Sequence, residues 1–141
     1  MLFRSNWVRE LGTIADSATV EHGRCILGHF SAGFDTLRLV GIYNAPALLE
    51  NPWAVRTGAC PPYVTKASWH IHLPWVVNMM DPRLRAPIPP ETVCFLSLGD
   101  RHAAKFDAQL GIFIQIVQVN ARIACAWALV GDTILPFKWP P

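Results

Sequence analysis

The amino-acid sequence predicts a mainly β protein, an antiparallel β-sandwich or barrel of about six to eight short strands with one short N-terminal helix. Apolar runs of strand length recur along the chain, and clusters of Gly, Pro, Asn and Asp that favour turns separate them. Helical periodicity is clear only near the N-terminus. The 141 residues fit one domain, which we place over residues 1–141.

The N-terminal helix is predicted over residues 3–16. Phe3, Trp7, Leu11 and Ile14 recur at the three- and four-residue spacing that places side chains on one helix face. Such an apolar face packs either on its own domain or on a neighbouring molecule.

The strands are predicted from apolar and β-branched runs. Residues 24–30 and 36–43 resemble the two arms of a β-hairpin, because the segment between them contains Gly33 and favours a turn. Residues 101–107 are polar and predict a helical turn or a loop. Further strands are predicted at residues 63–73, 92–98 and 111–119.

Residues 121–130 fit two structures. As a strand, they would divide into a face of large side chains and a face that is mostly alanine, which favours a strand packed closely on its second face. As a helix, they would continue a polar stripe that contains Gln115, Gln118 and Arg122. We favour the strand.

Two proline-rich segments are predicted to lie on the surface. Residues 81–90 form an arm with four prolines, and residues 133–141 form an apolar tail that prolines stiffen. The tail cannot form a long helix, so we expect it to lie along this subunit or a neighbour.

The surface is predicted to be poor in charge, because only 16% of the residues are charged whereas a typical domain has about 25%. Contact with copies of the chain or with a larger assembly is the first explanation; a membrane contact and an ordinary monomer are the alternatives. A net charge of +2 is too small to indicate nucleic-acid binding. No signal peptide is evident, and the apolar stretch 110–130 contains Arg122 and three amides near its centre, which argues against a transmembrane helix.

The four cysteines are about thirty residues apart, so no zinc-knuckle spacing occurs. We expect free buried thiols in a reducing compartment or a virion, with two long-range disulfides as the alternative for a secreted protein. The residues concerned are Cys25, Cys60, Cys94 and Cys125.

A possible metal site is predicted at His70 and His72. Residues at i and i+2 of a strand point to the same face, so these two imidazoles could hold Zn²⁺ or Fe²⁺ together. A third ligand could be His102, Asp100 or Asp107. Histidines that serve only the structure or the surface are the simpler explanation.

Other groups could take part in catalysis, although no complete catalytic motif occurs. Asp100 and His102 could form an acid–base pair, but Gly99-Asp100 is also an ordinary turn with Asp as a helix cap. Cys60 could be an exposed thiol, yet no base is identifiable for it. The sequence therefore assigns no catalytic residue.

The sequence favours a structural or assembly subunit over an enzyme. Such a subunit would pack against copies of itself or a larger scaffold, for example as a capsid-decoration, head–tail or tail component of a virion. The alternative is a small metal-dependent enzyme or ligand-binding barrel that uses the His-x-His strand. The predicted interface residues are Phe3, Trp7, Leu11, Trp53, Trp75, Pro87, Phe137 and Trp139.

Overall fold

A six-stranded mixed sheet, in the order β2-β1-β5-β6-β7-β8, organises the fold, and a two-stranded β3-β4 ribbon lies beside it. The computed structural model describes residues 5–33, 36–74 and 89–138. Its elements are α1 (Ser5–Ser17), β1 (Gly23–Phe30), β2 (Leu37–Tyr43), β3 (Ala47–Asn51), β4 (Ala54–Thr57), β5 (Thr65–Ile71), a 3-10 helix (Pro90–Val93), α2 (Leu98–Gln109), β6 (Ile114–Gln118), β7 (Ala124–Val130) and β8 (Thr133–Phe137).

The predicted mainly β class is confirmed, but the sheet is not wholly antiparallel and not a closed barrel. β5 and β6 run parallel, whereas the other neighbouring pairs are antiparallel. The parallel pair is possible because the 3-10 helix and α2 lie in the long connection between β5 and β6. Among the described strands, β2 and β8 leave the sheet with two edges.

One face of the sheet packs against α1 and forms the hydrophobic core. Leu11 of the helix is fully buried, as are Trp69 of β5 and Ile116 of β6. Helix α1 occupies Ser5–Ser17, close to the predicted range, and Trp7 and Ile14 pack against this core as its periodicity predicts.

The opposite face of the sheet carries the β3-β4 ribbon. A Cβ atom on Gly23 would lie 3.1 Å from Cγ2 of Thr57 and 3.5 Å from Cγ2 of Val55. Glycine is therefore the residue that lets β4 pack directly on the first residue of β1. Gly23 is paired with His70, so the ribbon meets the sheet beside that histidine.

The predicted strand at 92–98 is wrong. Its first residues complete the 3-10 helix, and Leu98 begins α2, a three-turn helix where the sequence predicted only a turn or loop. The strand prediction failed because the apolar residues do not form one face of a strand. Val93 and Leu96 are buried individually, as anchors of an irregular segment. A second helix therefore adds to the one that was predicted.

The predicted strand over 121–130 is confirmed as β7. Ala126 and Ala128 face the α1 core, which explains why this face is made of small side chains. The first part of the predicted tail, Thr133–Phe137, is β8 and pairs with β7 in the same subunit. Among the described residues, no helix is long and apolar enough to cross a membrane.

The expectation of free thiols is wrong, because the structure pairs all four cysteines. One disulfide joins Cys25 to Cys60 and the other joins Cys94 to Cys125, with Cα–Cα distances of 5.7 and 6.1 Å. Both links are long-range in sequence, so the two-disulfide alternative agrees with the structure.

Some predicted features lie outside the described residues. They are most of the 81–90 arm, the end of the 133–141 tail, and the candidate interface residues Phe3, Trp75, Pro87 and Trp139.

Candidate metal centre

Strand β5 and the residue directly after it present two histidines on the face opposite the α1 core. Trp69 and Ile71 point into the core, so strand alternation turns His70 and His72 to the other side. The main chain at His72 stays attached to the sheet because its N–H donates to the carbonyl of Gln118 at 3.1 Å. Both imidazoles are therefore placed by a rigid central strand.

Helix α2 brings a carboxylate to the same point. Ser97 caps the helix: its hydroxyl accepts a hydrogen bond from the Asp100 N–H at 3.1 Å. In return, Oδ2 of Asp100 accepts a hydrogen bond from the Ser97 N–H at 2.9 Å. This capping box fixes the Asp100 side chain at the first turn of the helix.

The three side chains converge on one small triangle. The Nε2 atoms of His70 and His72 are 3.0 Å apart. Asp100 lies 3.3 Å from His70 Nε2 through Oδ1 and 3.2 Å from His72 Nε2 through Oδ2. Zinc bonds of about 2.0–2.1 Å at tetrahedral angles separate ligand atoms by about 3.3–3.4 Å. The distances in the cluster are similar, but they involve both oxygens of Asp100; with one ligand atom from each residue, the three atoms lie within 4.8 Å of one another.

The protonation of His72 suits a metal ligand. Its Nδ1 lies 2.8 Å from the carbonyl oxygen of Val93, and a carbonyl only accepts, so Nδ1 is the donor. In neutral His72 the lone pair then lies on Nε2, which points at His70 and Asp100. Metal-binding histidines commonly use a backbone carbonyl in this way.

Charge interactions across the triangle are strong. Burial alone would raise the pKa of Asp100, but hydrogen bonds with His70 and His72 outweigh it and hold that pKa well below its usual range. Burial alone would lower the pKa of His72, whereas hydrogen bonds with Asp100 and the Val93 carbonyl raise it above its ordinary value. The site therefore favours a negative carboxylate beside a cation.

A second carboxylate lies beside the triangle. Glu21 is 8% exposed, lines the same cavity and interacts electrostatically with both His72 and Asp100. Burial raises the pKa of Glu21 to about 7, with the negative charge of Asp100 adding to the rise and His72 opposing it.

The main chain holds Glu21 in place. The Glu21 N–H donates to the carbonyl of Asn51 at 2.9 Å, and the Ile71 N–H donates to the carbonyl of the adjacent His22 at 3.1 Å. No hydrogen bond joins the Glu21 carboxylate to another described residue. It is thus a buried carboxylate that lines the cleft from a main chain held by hydrogen bonds.

The triangle lies in an open cleft of about 770 Å³. On the β1 side of β5 the ribbon lines this cleft with Trp53 and Val55; on the other side the segment before α2 lines it with Val93 and Phe95. The Phe95 ring packs edge-on against His72, with ring centroids 5.6 Å apart. The cleft therefore has apolar walls and a polar floor.

A further polar pair, Gln115 and Asp107, also lines the cleft. Gln115 of β6 is buried, and its Nε2 donates to Oδ2 of Asp107 at 3.2 Å. Burial raises the pKa of Asp107, and the Gln115 hydrogen bond and His70 oppose that rise. Asp107, one of the proposed third ligands, is thus engaged with Gln115 instead of the two histidines.

The structure brings together only part of the predicted site. Asp100 joins His70 and His72, whereas His102 lies exposed on the next turn of α2. Asp100 therefore does not form the proposed acid–base pair with His102. Cys60 lines the cleft but is tied up in a disulfide.

The predicted interface residues within the described chain lie in different environments. Leu11 is fully buried in its own core, while Trp7 and Phe137 pack against that core. Trp53 is 60% exposed and lines the cleft.

Sequence reasoning missed two residues of this centre, Glu21 and Ser97. The pattern Ser97-x-x-Asp100 is a capping signature that could have located the start of α2. No local pattern marks Glu21, whose position depends on long-range contacts.

Comparison with models of known protein families gave no match, and comparison with curated proteins gave no match either.

Proposed function

We propose that this protein is a zinc-dependent hydrolase that cleaves amide bonds. The observation that carries the proposal is a triangle of three metal-binding atoms, from His70, His72 and Asp100, beside the buried carboxylate of Glu21. This is the alternative that the His-x-His strand suggested, with Asp100 in place of His102.

The ligand set supports a catalytic metal rather than a structural one. Structural zinc sites use four protein ligands, whereas catalytic sites use three and leave a position for water or substrate. Here two imidazoles and one carboxylate face an open cleft. The same ligand set also suits Fe²⁺, but Glu21 supports hydrolysis, because a buried carboxylate beside the metal can take a proton from water.

Held by His70, His72 and Asp100, a zinc ion would supply the Lewis acidity that makes water a nucleophile near neutral pH. Glu21 accepts the proton of that water as its oxygen bonds to the substrate carbonyl carbon. Glu21 then gives the proton to the leaving nitrogen as the C–N bond breaks, which leaves a carboxylic acid and an amine. In the metal-free protein burial raises the pKa of Glu21 to about 7, and a zinc cation beside it would lower that pKa.

A peptide is the substrate that the cleft supports best. The lining includes all four residues of β4, Ala54–Thr57, and the second edge of this strand pairs with no other described strand. A free strand edge can hydrogen-bond an extended peptide through its main chain. Such pairing would lay a peptide beside the metal triangle.

Metal analysis tests the site itself. Protein purified without a histidine tag should contain about one zinc per chain, and His70→Ala and His72→Ala should lose it. His102→Ala is the matched control, because this exposed histidine lies on the helix that carries Asp100, and it should keep the metal. Sub-stoichiometric metal in the wild type, or unchanged metal in the His70 and His72 variants, would refute the proposal.

Activity tests the role of Glu21. Zinc-loaded protein should release new amino termini from unfolded casein, measured by mass spectrometry. Glu21→Gln should keep the zinc and lose about 10²-fold or more of the activity. Glu91→Gln, an exposed carboxylate before α2, should keep both. Full activity of Glu21→Gln would remove Glu21 from the mechanism.

Self-association and membership of a larger assembly, including a virion, stay predictions. The mass of the native protein in solution, measured by light scattering, tests them independently of the metal centre.

A further inference from the structure

We propose that the Cys94–Cys125 disulfide is a positioning device for the metal centre: it holds the segment that orients His72 and supplies Asp100 at the correct distance from β5. This inference rests on the proposed metal site and concerns what keeps its ligands together.

The disulfide attaches this segment to Cys125, which lies in the same row of paired sheet residues as the candidate ligand His70. His70 is paired with Val117 on β6, and Val117 is paired with Cys125 on β7. Directly paired residues share a face of the sheet, so Cys125 lies on the side of His70, two strands away. At about 4.8 Å per strand, the anchor is about 10 Å from His70 along the sheet.

Cys94, the other half of the link, lies between two residues that line the site. The preceding residue, Val93, accepts the hydrogen bond that orients His72. The following residue, Phe95, packs its ring on His72. Ser97, three residues after Cys94, caps α2 and fixes Asp100. A displacement of Cys94 would therefore disturb two of the three ligands at once.

The remaining contacts of the segment with the sheet are weak compared with a covalent bond. Val93 and Leu96 bury their side chains, and Gln115 donates one hydrogen bond to Asp107 of α2. The Val93 carbonyl also accepts a hydrogen bond from His72, and Asp100 contacts both histidines. Without the disulfide, these contacts must set the distance between Asp100 and the histidines. Loss of groups that orient ligands typically weakens metal binding by 10- to 100-fold.

The second disulfide gives a built-in comparison. Cys25–Cys60 joins β1 to the segment after the ribbon, and neither cysteine is next to a residue that orients a ligand. Both disulfides close loops of similar length, with sequence separations of 35 and 31. Their effects on the unfolded chain should therefore be similar, and only Cys94–Cys125 should affect the metal.

Cobalt binding to the full-length protein tests the inference. Co²⁺ replaces zinc in such sites, and its visible absorption is strong in tetrahedral and weak in octahedral coordination. Titration should show that the Cys94→Ser/Cys125→Ser variant binds Co²⁺ at least tenfold more weakly than wild type, with weaker absorption. The Cys25→Ser/Cys60→Ser variant should keep the wild-type spectrum and an affinity within about threefold of wild type.

Two further measurements guard against a simple folding defect. Circular dichroism and a cooperative unfolding curve identify folded variants, and Cys94→Ala/Cys125→Val removes the link while keeping apolar side chains. Reduction of folded wild-type protein by a phosphine, with Co²⁺ present, makes the same comparison without a substitution. With the released thiols alkylated so that they do not bind Co²⁺, reduction should weaken the tetrahedral absorption in wild type. It should cause no further change in Cys94→Ala/Cys125→Val, where Cys25–Cys60 is the remaining disulfide.

The outcomes separate this inference from the proposed function. If oxidised wild type binds neither Co²⁺ nor Zn²⁺, the metal centre and the hydrolase proposal fail. If wild type binds Co²⁺ and the folded Cys94/Cys125 variants bind it with the same affinity and spectrum, only the positioning role fails. Equal weakening by loss of either disulfide would also overturn it, since the effect would then be one of general stability.

Discussion

His72 and Val93 are joined by a hydrogen bond of 2.8 Å that connects the central strand β5 to the segment before α2. The bond makes Nδ1 of His72 a donor and turns its Nε2 toward Asp100. A main-chain carbonyl supplies this orientation, so the side chain of residue 93 serves only as a buried anchor. The geometry of the candidate metal centre therefore depends on how the segment 90–97 is held as well as on the three candidate ligands.

The N-cap of α2 should influence metal binding. Ser97→Ala removes the hydroxyl that accepts from the Asp100 N–H, and N-cap loss typically costs about 1 kcal/mol of unfolding free energy. Because the same capping box orients the Asp100 carboxylate, zinc affinity should fall about tenfold, as measured by chelator competition. Ser97→Thr keeps the cap and should restore both properties. Wild-type affinity in Ser97→Ala would show that the cap does not position Asp100.

Glu21→Gln should stabilise the metal-free protein. The folded pKa of about 7 lies above the unfolded value of about 4.5, because burial disfavours the charge. Wild-type stability therefore falls as pH rises from about 4.5 to 7 and stays low above that range. Glutamine does not titrate, so the free energy of unfolding of Glu21→Gln should exceed that of wild type by an amount that grows over this pH range. The difference should reach about 1–2 kcal/mol at pH 8, after allowance for solvent in the cleft.

Urea unfolding in the presence of a chelator, at pH 4.5 and pH 8, measures this difference. Glu10→Gln on the exposed side of α1 is the control and should show none. A variant that is less stable than wild type at pH 8 would mean that the Glu21 charge is compensated in the folded protein.

Asp107→Asn should also raise the free energy of unfolding, but only at pH values above the ordinary pKa of aspartate. Burial raises the folded pKa of Asp107, so wild-type stability declines as pH rises above about 3.8 and through the raised value. Asparagine retains an oxygen to accept from Gln115, and it removes a negative charge from the last turn of α2, where the helix dipole disfavours one. We expect a gain of about 0.5–1 kcal/mol at pH 7 that disappears near pH 3. Asp132→Asn in the β7–β8 turn is the exposed control, and a gain that persists at pH 3 would point to another cause.

The two exposed aromatic residues of the cleft should bind apolar groups next to the metal. Trp53 is 60% and Phe95 48% exposed, and they line the cleft on opposite sides of β5. A phenyl-bearing hydroxamate should bind zinc-loaded protein about tenfold more tightly than acetohydroxamate, which corresponds to about 1.4 kcal/mol of apolar burial.

Substitution of the two aromatic residues tests whether their rings cause the tighter binding of the phenyl-bearing hydroxamate. Trp53→Ala and Phe95→Ala should each remove most of it, whereas Phe106→Ala should not, since this exposed ring on α2 does not line the cleft. Equal binding of the two hydroxamates to wild type would show that the walls do not select apolar groups.

Much of the fold was predictable because its signals are local. The 3.6-residue periodicity of α1 and the large-and-small alternation of β7 are written in consecutive residues, and the structure confirms both. The strand 92–98 was mispredicted because composition alone cannot distinguish a strand from two buried anchors in an irregular segment. The Ser97 capping signature was the local sign that a helix begins there.

The sequence by itself determined that His70 and His72 share one face of a strand, because alternation along a strand is a property of the backbone. Only the tertiary structure decided that Asp100 completes the triangle, that Glu21 lies beside it and that Cys94 is joined to Cys125. These contacts join residues far apart in sequence through a parallel strand pair and a long connection, and no local pattern encodes such a distance. The composition of the site therefore depends on the tertiary structure, which places α2 and the segment before β1 on the same face of the sheet.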